Sequence, residues 1–189
     1  MSKRICVFCG SNSGYNKIYT DITKQFAKKI VKNNLTLVYG GGKVGIMGIL
    51  SNTIMDNGGT VIGVIPEFLN DMNLGNDKIT EMKVVPDMHI RKETMYKISD
   101  YFVALPGGIG TFEEITEILT WKQLNIHNKP CALLNINGFY DNYVKFLQRS
   151  VDEGFMKQLH LDNLIVEQDY TKLIDRLKNA KDKQELKFI

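Results

Sequence analysis

The 189-residue chain is poor in proline, cysteine and histidine. Only 4 prolines stand beside 16 glycines. Disordered and collagen-like chains raise both residues, so neither class fits. Three cysteines are an odd number and form no disulfide framework. No segment approaches the length of a bilayer span, and no membrane partner is expected. His89, His127 and His160 show no metal-ligand spacing with the cysteines, so no metal is expected. Neither sign of charge dominates: 24 Lys plus Arg against 21 Asp plus Glu leave a net charge of +3. That balance speaks against a nucleic-acid or polybasic membrane binder. There is no G-x-x-x-x-G-K-[ST] run, which removes the P-loop argument for phosphoryl transfer.

What is present is ordinary globular material, 43% hydrophobic and 24% charged, enough for one core. We expect a single domain spanning residues 1–189, in the cytoplasm. The basic start at Lys3 and Arg4 runs into Ile5–Cys9, which is too short for a leader's apolar region and reads as a first strand. On that strand Cys6 and Cys9 point to opposite faces, so their C-x-x-C spacing cannot chelate and both read as core. Six further strand candidates follow: Leu35–Tyr39, Thr60–Ile65, Met82–Val85, Tyr101–Leu105, Cys131–Ile136 and Leu164–Val166. All are apolar without alternation, as strands of a parallel sheet buried on both faces are. Helical patterns lie between most of them: Ile18–Lys32, Ile46–Asn57, Met88–Ser99, Phe112–Leu124, Tyr140–Glu153 and Tyr170–Ala180. One stretch, Glu67–Thr80, is irregular, and Lys178–Lys187 reads as a solvated helix end. The βα order predicts a doubly wound, three-layer α/β/α sandwich. A (β/α)8 barrel would need eight units and about 250 residues.

Three strands end in glycine-bearing turns that lead into helices: Cys9–Gly14, Tyr39–Gly45 and Leu105–Thr111. In a parallel sheet these turns share one edge, the edge at which α/β proteins bind ligands. Close backbone approach and free helix N–H groups there favour an anion, so a phosphate-bearing ligand is expected, a nucleotide foremost. The second turn also satisfies G-x-G-x-x-G through Gly40, Gly42 and Gly45, with Glu67 at a ribose-binding interval. A dinucleotide oxidoreductase is therefore an alternative, although the long stretch after Glu67 is unlike a second half of that fold.

Helical projection at about 100° per residue singles out two charged residues. In Met88–Ser99, Arg91 falls inside the apolar stripe of Met88, Met95 and Ile98, and Lys92 lies beside it. An arginine there pairs with a carboxylate, faces a polar ligand or snorkels from the helix end. In Phe112–Leu124, Glu113 and Glu117 point toward solvent, whereas Glu114 sits at the edge of the apolar face beside the third glycine turn. A carboxylate in the first turn also suits the helix dipole.

The run Pro106-Gly107-Gly108-Ile109-Gly110-Thr111-Phe112-Glu113-Glu114 resembles the P-G-G-x-G-T-x-x-E motif of the LOG ("lonely guy") family, and Met88-His89-Ile90-Arg91-Lys92 resembles its M-H-x-R-K element. The segments Phe8–Ser11, Val38–Gly42, Gly45–Gly48 and Leu119–Leu124 are similar too, so the likeness covers roughly residues 3 to 155. It implies a Rossmann-like cytosolic homodimer or larger assembly that works without a cofactor. The implied activity is cleavage of the N-glycosidic bond of N6-substituted AMP, or of AMP itself, to free base and ribose 5-phosphate. It assigns Arg91 and Glu114 as the catalytic pair. It assigns Lys92, Thr120 and the run Gly108, Ile109, Gly110, Thr111 as substrate contacts, with Gly10, Ser11, Gly41, Gly42, Met88 and Gly107 around them. An acidic substrate contact of some plant members falls on Asn73 here. Two alternatives accompany this reading: a nucleotide-binding or carrier module without catalysis, and a decarboxylase, whose pyridoxal phosphate would need a Schiff-base lysine.

Overall fold

The structure, a computed structural model, describes residues 2–181. Seven strands alternate with helices: β1 Arg4–Phe8, α1 Lys17–Lys32, β2 Thr36–Tyr39, α2 Gly45–Asp56, β3 Val61–Pro66, α3 Glu67–Asp71, β4 Glu81–Val85, α4 Met88–Ile98, β5 Tyr101–Ala104, α5 Ile109–Gln123, β6 Cys131–Leu134, α6 Asp141–Asp152, α7 Gln158–Asp162, β7 Leu164–Glu167 and α8 Tyr170–Asn179. The strands form one sheet in the order β4-β3-β2-β1-β5-β6-β7, with every pairing parallel. This is the doubly wound α/β arrangement expected from the βα order.

Alternate strand residues feed two cores. Ile5, Val7, Leu37, Tyr39 and Val103 pack on α1, α2 and α8 through Phe26, Ile30, Leu50, Ile54 and Leu173. Cys6, Phe8, Val38, Val64 and Phe102 face the other way, onto Met95 of α4 and Ile115 and Ile118 of α5. Cys6 and Cys9 fall in opposite cores, as the strand period requires. All three cysteines are buried, and none is in a disulfide.

The sequence reading needs correction in several places. β4 and β7 are edge strands and only partly buried, so not every strand is covered on both faces. Val84 is 48% exposed. The strand expected to reach Ile136 stops at Leu134 and passes into a 3-10 turn, Ile136–Gly138. Glu67–Thr80 holds a short helix, α3, and α7 was not foreseen. α5 begins at Ile109, three residues earlier than its apolar pattern suggests. Gly108 is extended and caps it, and the Phe112 N–H donates to the Gly108 carbonyl at 3.2 Å. Most of the charged tail lies outside the described residues.

The chain reverses its winding between β1 and β5. β1 pairs with β2 on one side and β5 on the other, which opens a crevice above their C-terminal ends. The loops there are tied together: the Gly10 N–H donates to the Pro106 carbonyl at 3.1 Å and the Met47 N–H to the Gly10 carbonyl at 3.2 Å. Gly45, at φ +61°, opens α2 directly against the Ser11 backbone, where no side chain would fit. Tyr140 anchors the end of β5 from below by donating its hydroxyl to the Leu105 carbonyl at 2.6 Å. Tyr140→Phe strands that buried carbonyl. It should lower stability by about 1–2 kcal/mol, read as a lower urea midpoint with an unchanged slope.

Candidate active site

A cavity of about 630 Å³ occupies the crevice, within the usual range for a small-molecule site. Its floor and one wall come from the first loop, Gly10, Ser11 and Asn12, together with Gly40 and Gly42 of the second. The third side is the start of α5: Gly108, Ile109, Gly110, Thr111 and Glu114. α4 contributes Met88 and Arg91. These include most of the residues singled out from the sequence. Four stay outside the lining: Gly41, Gly107, Lys92 and Thr120. Gly41 packs against Ile65 and Met82, and Gly107 against Gly10 and Thr111. Thr120 is exposed and donates to the Thr116 carbonyl of its own helix at 2.8 Å. Glu67 is exposed and lines no part of the cavity, which removes the ribose-binding acid of the dinucleotide alternative.

α4 is placed by Asp87, whose carboxylate accepts the Ile90 N–H at 2.9 Å and fixes the first turn. One turn on, Arg91 enters the interior, 7% exposed. Its Nε donates to the Val64 carbonyl at 3.1 Å, and its Nη1 to Glu114 Oε1 at 2.5 Å. Its Nη2 lies where a side chain on residue 40 would have to stand, so Gly40 is needed for the approach. Of the three roles open to this arginine, the structure selects the carboxylate pair, at the wall of the cavity.

Glu114 is 8% exposed and closes the cavity's inner end. Among the described residues no hydrogen bond reaches its Oε2. Burial raises its pKa above the ordinary glutamate value; Arg91 opposes the shift by charge and hydrogen bond without cancelling it, and the Glu113 charge adds to it. Burial also pushes the Cys9 thiol well up, so Cys9 is a neutral wall rather than a nucleophile. The N–H groups of Ile109, Gly110 and Thr111 are the ones an α-helix leaves without an internal acceptor. They stand at the cavity with the Thr111 side chain.

The remaining wall is apolar and was missed by sequence reasoning: Val44, Met47, Ile65, Leu69 and Leu74. Leu69 and Leu74 arrive through the irregular stretch, which folds back over the second loop. Gly42 and Gly75 form an antiparallel bridge, the Lys43 N–H donates to the Leu74 carbonyl at 3.1 Å, and the Asn76 N–H to the Gly41 carbonyl at 2.9 Å. Asn76 also donates to Ser51 at 3.0 Å and to Asn52 at 2.9 Å, fastening the stretch to α2. Asn73 turns outward, accepts a hydrogen bond from Lys43 Nζ at 3.1 Å and does not line the cavity. Glu113 and Glu117 leave the cavity as expected, but both pair with Lys92 rather than with solvent alone. Among the described residues no cluster of three His, Cys, Asp or Glu side chains could hold a metal, and no helix is long and apolar enough to cross a membrane.

A parallel doubly wound sheet, a helix N-terminus at its switch point and a buried arginine–carboxylate pair beneath it define a Rossmann-like α/β protein whose crevice sets free helix N–H groups beside a buried carboxylate. The profile of the family described as "possible lysine decarboxylase" matches residues 47–177. The cytokinin riboside 5′-monophosphate phosphoribohydrolase LOG2 of Arabidopsis thaliana is 49% identical over 154 residues, 82% of this chain and 72% of its own. A rice relative, the LOGL2 protein named as a probable enzyme of the same kind, is 43% identical over 175 residues, 93% of this chain and 72% of its own. The chain belongs to this LOG family. The fold recurs in the molybdenum cofactor carrier protein of Chlamydomonas reinhardtii, with a TM-score of 0.71 at 24% identity, covering 94% of this chain and 96% of that one. The molybdenum cofactor binding protein of Rippkaea orientalis gives the same TM-score and coverage at 20% identity. At these identities the likeness is one of fold. The family's descriptive name suggests a pyridoxal phosphate enzyme, but no lysine lines the cavity, so the residues present do not fit a Schiff base.

The pair can be tested as a pair. Arg91→Met leaves Glu114 buried without its cation and should cost about 3–5 kcal/mol. Glu114 then has a folded pKa still further above its unfolded one. The penalty should therefore be smallest below the unfolded pKa and grow as pH rises through the gap between the two. Adding Glu114→Gln should recover part of the loss, giving a favourable coupling energy in a double-mutant cycle followed by denaturant unfolding.

Proposed function

We propose that this protein hydrolyses the N-glycosidic bond of AMP and of N6-substituted AMP, releasing the free base and ribose 5-phosphate. Residues 1–189 serve as one catalytic domain, and Glu114 and Arg91 form the reacting pair. The observation that carries this reading is Glu114 itself: a buried carboxylate with an unpartnered oxygen, one turn beyond the free N–H groups of α5. The 5′-phosphate belongs at those N–H groups and the Thr111 hydroxyl, where the helix dipole also favours an anion. Gly108 lets it approach closely, and a Cβ there would meet open space. The sugar then lies over Glu114.

As the C1′–N9 bond breaks, the ribose develops oxocarbenium character, and a carboxylate beside it stabilises the growing positive charge. The same carboxylate takes a proton from water as the water oxygen bonds to C1′, while the base leaves with the bonding pair and takes up a proton from solvent. Arg91 is permanently charged and a poor acid. Held by Val64 and Glu114, it fixes the carboxylate's orientation. Gly10, Ser11, Gly42 and Met88 shape the substrate's enclosure, and Gly41 and Gly107 support it from behind the lining. The apolar wall of Val44, Met47, Leu69 and Leu74 suits an aliphatic N6-substituent, in keeping with the names of the plant relatives.

The protein acts in this reading as a cytoplasmic homodimer or larger homo-oligomer. Support comes from apolar residues left exposed: Met88 and Ile109 at the cavity, the latter 88% exposed, and Ile90 on α4. Thr120, implied as a contact by the family likeness, lies exposed off the cavity on α5, open to a second copy.

Incubation with AMP and N6-isopentenyl-AMP, followed by chromatography of the released base, tests the reading. Binding without base release would favour a carrier module instead. Glu114→Gln should reduce turnover roughly 10²- to 10⁴-fold while nucleotide binding persists. The wild-type acid limb of kcat should lie above the ordinary glutamate value of 4.5.

A further inference from the structure

We propose that Lys92 is a positioning residue for Glu114, clamping α5 to α4 through Glu113 and Glu117 and balancing the carboxylate charge beside the site. The proposal rests on the reading of Glu114 as the hydrolytic base.

Arg91 and Lys92 are consecutive on α4 yet grip α5 at different depths. Arg91 reaches inward to Glu114. Lys92 reaches the outer acids, pairing with Glu113 and, at 3.1 Å, with Glu117. Its side chain is only 12% exposed, far less than that of an ordinary surface lysine. Glu113 and Glu117 are one helical turn apart, so a single ammonium holds the turn that contains Glu114. Lys92 does not line the cavity, and in this chain its ammonium is committed to the two carboxylates.

The clamp also sets the charge around Glu114. Two cations, Arg91 and Lys92, come from α4. Glu113 and Glu117 accompany Glu114 on α5, and the thiols of Cys6 and Cys9 approach from the sheet side. Both thiols are neutral because burial raises them. Glu113 pushes Glu114 toward its protonated form and Lys92 pulls it back. Removing Lys92 both frees Glu113's charge and deletes the opposing cation. Protonation of Glu114 then becomes easier, and the acid limb of turnover moves up in pH. Removing Glu113 has the opposite sign.

The test is the pH profile of kcat for hydrolysis of AMP or N6-isopentenyl-AMP, with KM at each pH, for the wild type, Lys92→Met, Lys92→Arg, Glu113→Gln and the Lys92→Met/Glu113→Gln double variant. The acid limb should move up in pH in Lys92→Met. It should return in Lys92→Arg, move down in Glu113→Gln and lie near wild type in the double variant. Glu113→Gln alters a half-exposed side chain, so its shift remains readable if Lys92→Met folds poorly. An unmoved limb in either single variant, with or without a raised KM, overturns the proposal; a raised KM would mark Lys92 as a substrate contact. Wild-type protein that releases no base overturns the hydrolytic reading and this inference with it. Active wild type with unmoved limbs overturns this inference alone.

Discussion

The buried pair between Arg91 and Glu114 is the constraint around which the site is built. Two charges that are each less than a tenth exposed survive in a core only when held against each other and against further hydrogen-bonding groups. The guanidinium meets both demands at once, through Glu114 and the Val64 carbonyl. Its presence dictates its surroundings. Residue 40 must lack a side chain, α4 must start at Asp87 to bring residue 91 inward, and α5 must lie close enough for a 2.5 Å contact. The ends of β2 and β3 are thereby joined to both helices of one layer.

That pair also divides the cavity chemically. Around it lie the polar groups: the first-loop backbone, the α5 N–H groups and Thr111. Away from it the wall is aliphatic, supplied by α2 and by the stretch that folds back after β3. A ligand that is anionic at one end and apolar at the other matches this division. The relatives with solved structures share the fold under names that speak of carrying or binding a cofactor. At those identities the fold is common ground, so chemistry particular to this chain resides in side chains such as Glu114.

Much of this was legible in the residue order. The seven apolar runs gave seven strands in the right places because strands covered by helices leave little room for polar residues. Arg91 was exposed by the helical period, since a charge on an apolar stripe is a local anomaly, and Glu114 by that period together with its place beside the third glycine turn. The start of α5 was misplaced because glycines at 108 and 110 read as loop, although a helix's first turn needs no strong helix former. The edge character of β4 had a signal that was passed over: Lys83 lies inside the run and Glu81 just before it, charges that a strand covered on both faces would not carry.

The sequence by itself determined the layer architecture, the three glycine turns and the two charged residues that break the apolar pattern, since each depends on spacing along the chain. Only the tertiary structure decided that Arg91 and Glu114 face one another, that Lys92 turns outward to Glu113 and Glu117, and that Leu69 and Leu74 line the cavity. Those facts depend on how α4, α5 and the stretch after β3 meet across the sheet. Contacts between segments 20 to 30 residues apart, such as Arg91 with Glu114 or Lys43 with Asn73, leave no periodic trace in the chain.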